Sequence, residues 1–223
     1  MEDVRAAGSP AGGSAGSIAA SAEHSWEAAA AIVFPVLRPA GSSGLRLDSL
    51  ATPAAAAGHL DPLVDEGPAG LVVGYALAAG GFDVLAGGEH LAAWGISPAT
   101  LREAALRNLD AWSQSAPWSE EVSGHRRIVS SDTGDGWDAS RILLPAAMAR
   151  LEALRGPGDG VLVGIPARHL LIAGSLSSSD PEFALQFADF VLEYAGDSDE
   201  SIDRRVFELV DGRLMPFGVS AAG

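Results

Sequence analysis

Apolar residues recur along this chain with two periods, and the longer one marks its helices. In SPATLREAALRNLDAW the positions Leu101, Ala105, Leu109 and Trp112 form one stripe, which predicts an amphipathic helix. Ser97 stands where a helix cap accepts an amide hydrogen, and Pro98 where a missing N–H costs nothing. DPEFALQFADFVLEYAG repeats the arrangement: Asp180 caps, Pro181 follows, and Phe183, Phe187, Phe190 and Tyr194 make the apolar face, which by its helical spacing reads as core. PAAMARLEALRG predicts a helix between Pro145 and Gly156, GEHLAAWG a short helical turn closed by Gly95, and SWEAAAAIVFPVLRP a helix from Trp26 that Pro35 ends or kinks.

Shorter apolar runs between turn residues predict strands. LVVGYALAAGGFDVLAG reads as two strands joined at Gly80-Gly81, and RRVFELVDGRLMPF as a hairpin turning at Asp211-Gly212. HRRIVSS is one strand. GVLVGIPARHLLIAGSL is two, about 161–165 and 170–173, around a turn that holds Pro166. From 45 to 69 the prolines and glycines leave room for no more than a short strand. Strands come largely in pairs between helices, so the chain predicts an α+β fold: a mainly antiparallel sheet built from hairpins, with helices packed on one face. The Ala/Gly/Ser-rich residues 1–24 predict a disordered tail, 25–218 a single domain, and 219–223 a flexible C-terminus.

Charge narrows the partners. The formal net charge is −15, and the basic doublets at 126–127 and 204–205 make no stripe. Nucleic-acid backbones and anionic lipids need clustered Lys and Arg, so neither is an expected partner. With no cysteine, disulfides, thiolate metal sites and a cysteine nucleophile are excluded. The start of the chain lacks the apolar core of a signal peptide, and GPAGLVVGYALAAGGF is short of a membrane span, so a cytoplasmic location is expected.

The most sharply written stretch is SDTGDGWDASRILLP, where Asp132, Asp135 and Asp138 stand three apart in a glycine-rich turn. Read as architecture, Asp138 or Ser140 caps the helical turn that follows, Arg141 pairs with Asp135 or Asp138, and Trp137 packs on the core edge. Read as a site, the carboxylates hold Mg²⁺ or Ca²⁺ through hard oxygen ligands, or divide acid and base roles with Ser140 and Arg141 in a hydrolase. The spacing is not an EF-hand, since Gly134 and Gly136 fall where ligands belong. GDSDESIDRRVFELV fits calcium spacing better through Asp197, Asp199, Ser201, Asp203 and Glu208, but Ile202 stands where glycine must turn the loop, and the run reads as a solvated loop. Pro166, Arg168 and His169 are secondary candidates, with His169 placed to face the aspartate loop. The five histidines share no metal-ligand spacing, and no serine elbow, Walker sequence or dinucleotide fingerprint is present.

DGWDASRIL, with VFPVLR, GYALAAGGFDVLAGGEHLAAWGISPATLREAALRNL, VLVGIPARHLLIAGSL and DGRLMPF, resembles the blocks of the YtpQ-like family of bacterial proteins, over about residues 32–217. Trp137 departs from that family's usual tyrosine. The Ala/Gly/Ser tail replaces the longer N-terminal portion of the family members. The family has no assigned function, so the resemblance implies a shared fold and no chemistry. With catalytic signatures absent and the charge strongly negative, the expected role is a non-catalytic binding or interaction module that presents an acidic surface to a protein partner. The alternative is a hydrolase-type enzyme or cation-binding protein using Asp135, Asp138, Ser140 and Arg141.

Overall fold

The computed structural model describes residues 25–78 and 83–218. Its fold is α+β with mostly antiparallel pairing, and the strands divide between two sheets. The first holds β1 (Val33–Arg38), β2 (Leu45–Arg46), β3 (Leu63–Glu66), β4 (Val72–Ala78) and β5 (Asp83–Leu85), in the order β1-β4-β3-β2 with β5 also on β4. The second holds β6 (Ser119–Ser123), β7 (Arg126–Ser131), β8 (Gly160–Ala167), β9 (Leu170–Leu176), β10 (Val206–Val210) and β11 (Arg213–Pro216), in the order β11-β10-β8-β9-β7-β6. The helices are α1 (Trp26–Ala30), α2 (Gly88–Trp94), α3 (Pro98–Ser115), α4 (Pro145–Glu152) and α5 (Pro181–Asp197).

Three expectations change in detail. The helix from Trp26 stops at Ala30, and VFPVLR is strand β1. Proline is tolerated there because β1 is an edge strand and Pro35 has no outward N–H to satisfy. That outer edge is met by side chains instead: Asn108 Nδ2 on α3 donates to the carbonyls of Ala30 and Val33 at 2.9 and 2.8 Å, and the Leu37 amide donates to Ser140 Oγ at 3.2 Å. Pro166 lies inside β8, so the β8–β9 turn is Arg168-His169. β6 escapes the sequence reading because SEEVS is exposed throughout and carries no buried alternation. The Gly80-Gly81 turn lies outside the described residues, whereas Asp211 (φ 49°) and Gly212 (φ 71°) form the expected left-handed hairpin turn. The expected tail 1–24 and C-terminus 219–223 also lie outside them.

The middle of the second sheet, β8 and β9, is buried on both faces. Val161, Val163, Ile165, Leu171 and Ala173 join the main core with Leu37, Tyr75 and Leu101 from the first sheet and α3. Leu162, Leu170 and Ile172 point the other way, under Phe183, Phe187 and Val191 of α5. Two glycines let α5 sit close. A Cβ at Gly164 would come within 2.5 Å of Val191, and one at Gly174 within 2.7 Å of Phe183. α5 covers β8 and β9 but leaves the groove-side faces of β6 and β7 open.

An ion network braces α3 against the first sheet. Arg102 reaches both oxygens of Asp65 at 2.6 and 2.7 Å and also Asp48, while the Tyr75 hydroxyl donates to Asp65 at 2.5 Å. Burial raises the Asp65 carboxyl, but these donors outweigh it and hold the pKa below its ordinary value.

Candidate functional site

The stretch 131–145 leaves β7, turns through Gly134 and Gly136 (both φ 79°), forms a 3-10 turn at Ala139–Leu143 and enters α4. Its three aspartates go to different surroundings. Asp132 is exposed beside Tyr194, on the α5 side. Asp135 is exposed and accepts from the Trp112 indole N–H at 3.1 Å. Asp138 is fully buried and accepts from Ser131 Oγ at 2.5 Å, Thr133 Oγ1 at 2.9 Å and the Thr133 amide at 3.1 Å. It therefore closes the loop behind it and does not cap the turn ahead, where it makes no capping bond.

Ser140 and Arg141 also face inward. Ser140 is the acceptor on the β1 edge and does not cap its own turn. The Arg141 guanidinium, 1% exposed, donates to Ser113 Oγ, to the carbonyls of Ser113, Ala116 and Pro117, and to Ser131 Oγ, at 2.7 to 3.1 Å. Its carbon lies 4.0 Å from the Trp118 ring centroid. Among the described residues no carboxylate bonds to it. The expected direct pair with Asp135 or Asp138 is replaced by a relay: Arg141 donates to Ser131, and Ser131 donates to Asp138. Burial pulls the Arg141 pKa down to about 10, against the favourable charge of Asp138, so the group stays protonated at neutral pH.

Trp137 packs as the architectural reading expects. It is 7% exposed, stacks on Phe34 at 4.5 Å, and has the Arg168 guanidinium over its ring at 4.8 Å. Arg168 is the residue of the β8–β9 turn that meets the aspartate loop, donating to the Gly136 carbonyl at 2.9 Å and pairing with Asp83. His169 lies on the α5 side, 2.8 Å from the Tyr194 hydroxyl, which Asp132 also neighbours, and 3.9 Å from Glu200. Pro166 is buried in β8, where its carbonyl accepts from the Ile202 amide at 2.9 Å.

The calcium-like run is not gathered either. Asp203 is buried and bound to the Arg205 side chain and amide, and Glu208 lies on β10 beside Gly160, apart from Asp197 and Asp199. Among the described residues no three His, Cys, Asp or Glu side chains stand together as metal ligands.

Open concave surfaces lie along α5. One groove, about 590 Å³, runs between β6–β7 and the helix, with Ile128, Ile172, Phe183, Phe187 and Phe190 among its apolar lining, Glu121 and Asp132 as its acids, and Arg126, held by Asp180, as its base. Phe190 and Tyr194 also line a neighbouring cavity of about 690 Å³ that adds Glu193, Asp197, Asp199 and Glu200. The apolar face of α5 differs from the expected stripe: Val191 takes the buried position and leaves Phe190 42% exposed. Val191, one residue beyond Phe190 and four beyond Phe187, was the signal for that.

Asp180 fixes the groove's open end. It caps α5 through the Phe183 amide, accepts two bonds from Arg126 at 2.6 and 2.9 Å, and meets His125 at 2.9 Å, so it ties the β6–β7 turn to the helix. Arg126 above all, with His125 and the Phe183 amide, holds its pKa down at about 2, against the effect of burial. A depressed carboxyl stabilises the fold above the unfolded pKa of about 4 and loses that contribution as pH falls through its folded value. The melting midpoint of Asp180→Asn should therefore lie below wild type at pH 6, and the gap should close between about pH 4 and pH 2. A gap that stays constant over that window would contradict this linkage.

No family model matches the chain, and no curated protein or solved structure matches it. No helix among the described residues is long and apolar enough to cross a membrane.

Proposed function

We propose that the protein is a non-catalytic interaction module of the cytoplasm whose acidic surface receives a protein partner along α5. The observation that carries this reading is the groove itself: an aromatic and aliphatic lining held open between a helix and a sheet, with carboxylates at its margins. Apolar side chains of a partner gain burial there, and Lys or Arg beside them meets Glu121, Asp132 and the field of a chain with net charge −15. The hydrolase and cation-binding alternative needs reactive groups that a substrate or ion can reach. Asp138, Ser140 and Arg141 are buried and engaged in internal bonds, which weighs against it. The resemblance to YtpQ-like proteins adds no chemistry to either reading.

The test is to pan a displayed random-peptide library against wild type and against Phe190→Asp. Phe190 is already 42% exposed, so the substitution should leave the fold intact. Wild type should enrich sequences that interleave Lys or Arg with apolar residues, and Phe190→Asp should not retain them. A library that yields no enriched class on wild type, or one retained equally by the variant, would contradict the reading.

A further inference from the structure

The β6 edge explains how such a partner would enter the groove. β6 ends the second sheet, and among the described residues no strand pairs with its outer side. Ser123 and Arg126 flank a two-residue turn, Gly124-His125, and in such a hairpin the flanking residues share the first pair of ladder bonds. The alternation that follows turns the N–H and C=O of Glu120 and Val122 outward. The Arg127 amide, opposite Val122, donates away from β6 to Ser175 Oγ at 3.1 Å, as this alternation requires. The side chains of Glu121 and Ser123 line the groove together with those of α5, so one cavity reaches both the strand edge and the helix.

Charge selects what pairs with that edge. A second copy of β6 would set Glu120 and Glu121 against the same residues of its partner, which like-charge repulsion disfavours. A basic strand would meet them favourably. Glu120 already pairs with Arg127 within the sheet, whereas Glu121 has no ion-pair partner among the described residues. Resting on the reading of the α5 groove as a docking surface, we infer that its occupant is an extended, basic segment of another protein. It adds to β6 as a further strand, its main chain bonding to Glu120 and Val122, alternate side chains filling the apolar groove, and a Lys or Arg opposite Glu121.

The probe is a fluorescent capped peptide with Thr at every second position and Val and Lys taking turns between them, so that one face carries both the apolar side chains and a Lys opposite Glu121, read by anisotropy. Val122→Pro removes an outward donor and keeps the β6–β7 ladder, so it should weaken binding roughly tenfold or more while the melting midpoint holds. On the wild-type chain, N-methylation of alternate peptide amides should cause a similar loss, a result independent of how the proline variant folds. Replacing the peptide's lysines with glutamates should abolish binding, and Glu121→Lys should weaken the parent peptide. If Phe190→Asp abolishes binding while Val122→Pro and the N-methylated peptide bind like their parents, strand addition is wrong and the groove reading survives. A wild-type chain that ignores the peptide, or binds the glutamate version equally, overturns the basic-strand proposal.

Discussion

Arg141→Met should destabilise the chain by about 3–5 kcal/mol, the largest effect of any single substitution considered. Methionine fills much of the volume but offers no donor. α3 ends at Ser115, and its final turn leaves carbonyls that no helical amide can reach. Arg141 arrives from a segment 25 residues further on and gives its fork to Ser113, Ala116 and Pro117, placing a cation at the negative end of the helix. Removing it strands those partly buried carbonyls and the buried Ser131 together, and leaves Arg150, 5.3 Å from the Trp118 ring centroid, as the more distant cation on that ring. Arg141→Lys should recover only part of the loss, because an ammonium cannot reproduce a planar five-donor fork. Urea unfolding checks this: the midpoint should fall with little change in slope. A loss below about 1 kcal/mol would show the guanidinium to be dispensable.

Asp138→Ala should cost about 3 kcal/mol, several degrees of melting midpoint for a domain of this size. Three donors lose their acceptor at once: the Ser131 hydroxyl, the Thr133 hydroxyl and the Thr133 amide. The relay through Ser131 couples this site to Arg141, so the double variant should lose less than the two single losses added together. Mg²⁺ or Ca²⁺ should leave the midpoints of wild type and variant where they were. A cation-dependent rise in wild type that vanishes in Asp138→Ala would instead restore the aspartate loop as a ligand site.

Local chemistry carried much of the fold into the sequence. Ser97 and Asp180 cap α3 and α5 as their positions imply, accepting from Thr100 and Phe183, and Asp211-Gly212 turns its hairpin. These features depend on a few neighbouring residues, so a linear reading finds them. The division into two sheets was not legible, since pairing partners such as β7 and β9 lie some forty residues apart and both read simply as apolar runs. β6 was missed for a different reason: a wholly exposed edge strand has no buried face to set a period.

The aspartate stretch was legible as a special place but not in its direction of bonding. Asp138 could satisfy the turn ahead or the loop behind, and only burial beneath Ser131 and Thr133 decides between them. The partners of Ser140 and Arg141, on β1 and at the end of α3, are tertiary. The α5 groove was hidden because its aromatic residues share the helical spacing of core residues.

The most direct test of an interaction surface along α5 is amide hydrogen exchange with and without the basic peptide. Binding should slow exchange in 119–123, most at Glu120 and Val122, with weaker protection in the helix around Phe190, and leave 133–141 unchanged. Protection centred on 133–141, with β6 exchanging as freely as before, would contradict an interaction surface along α5 and point back to the aspartate loop.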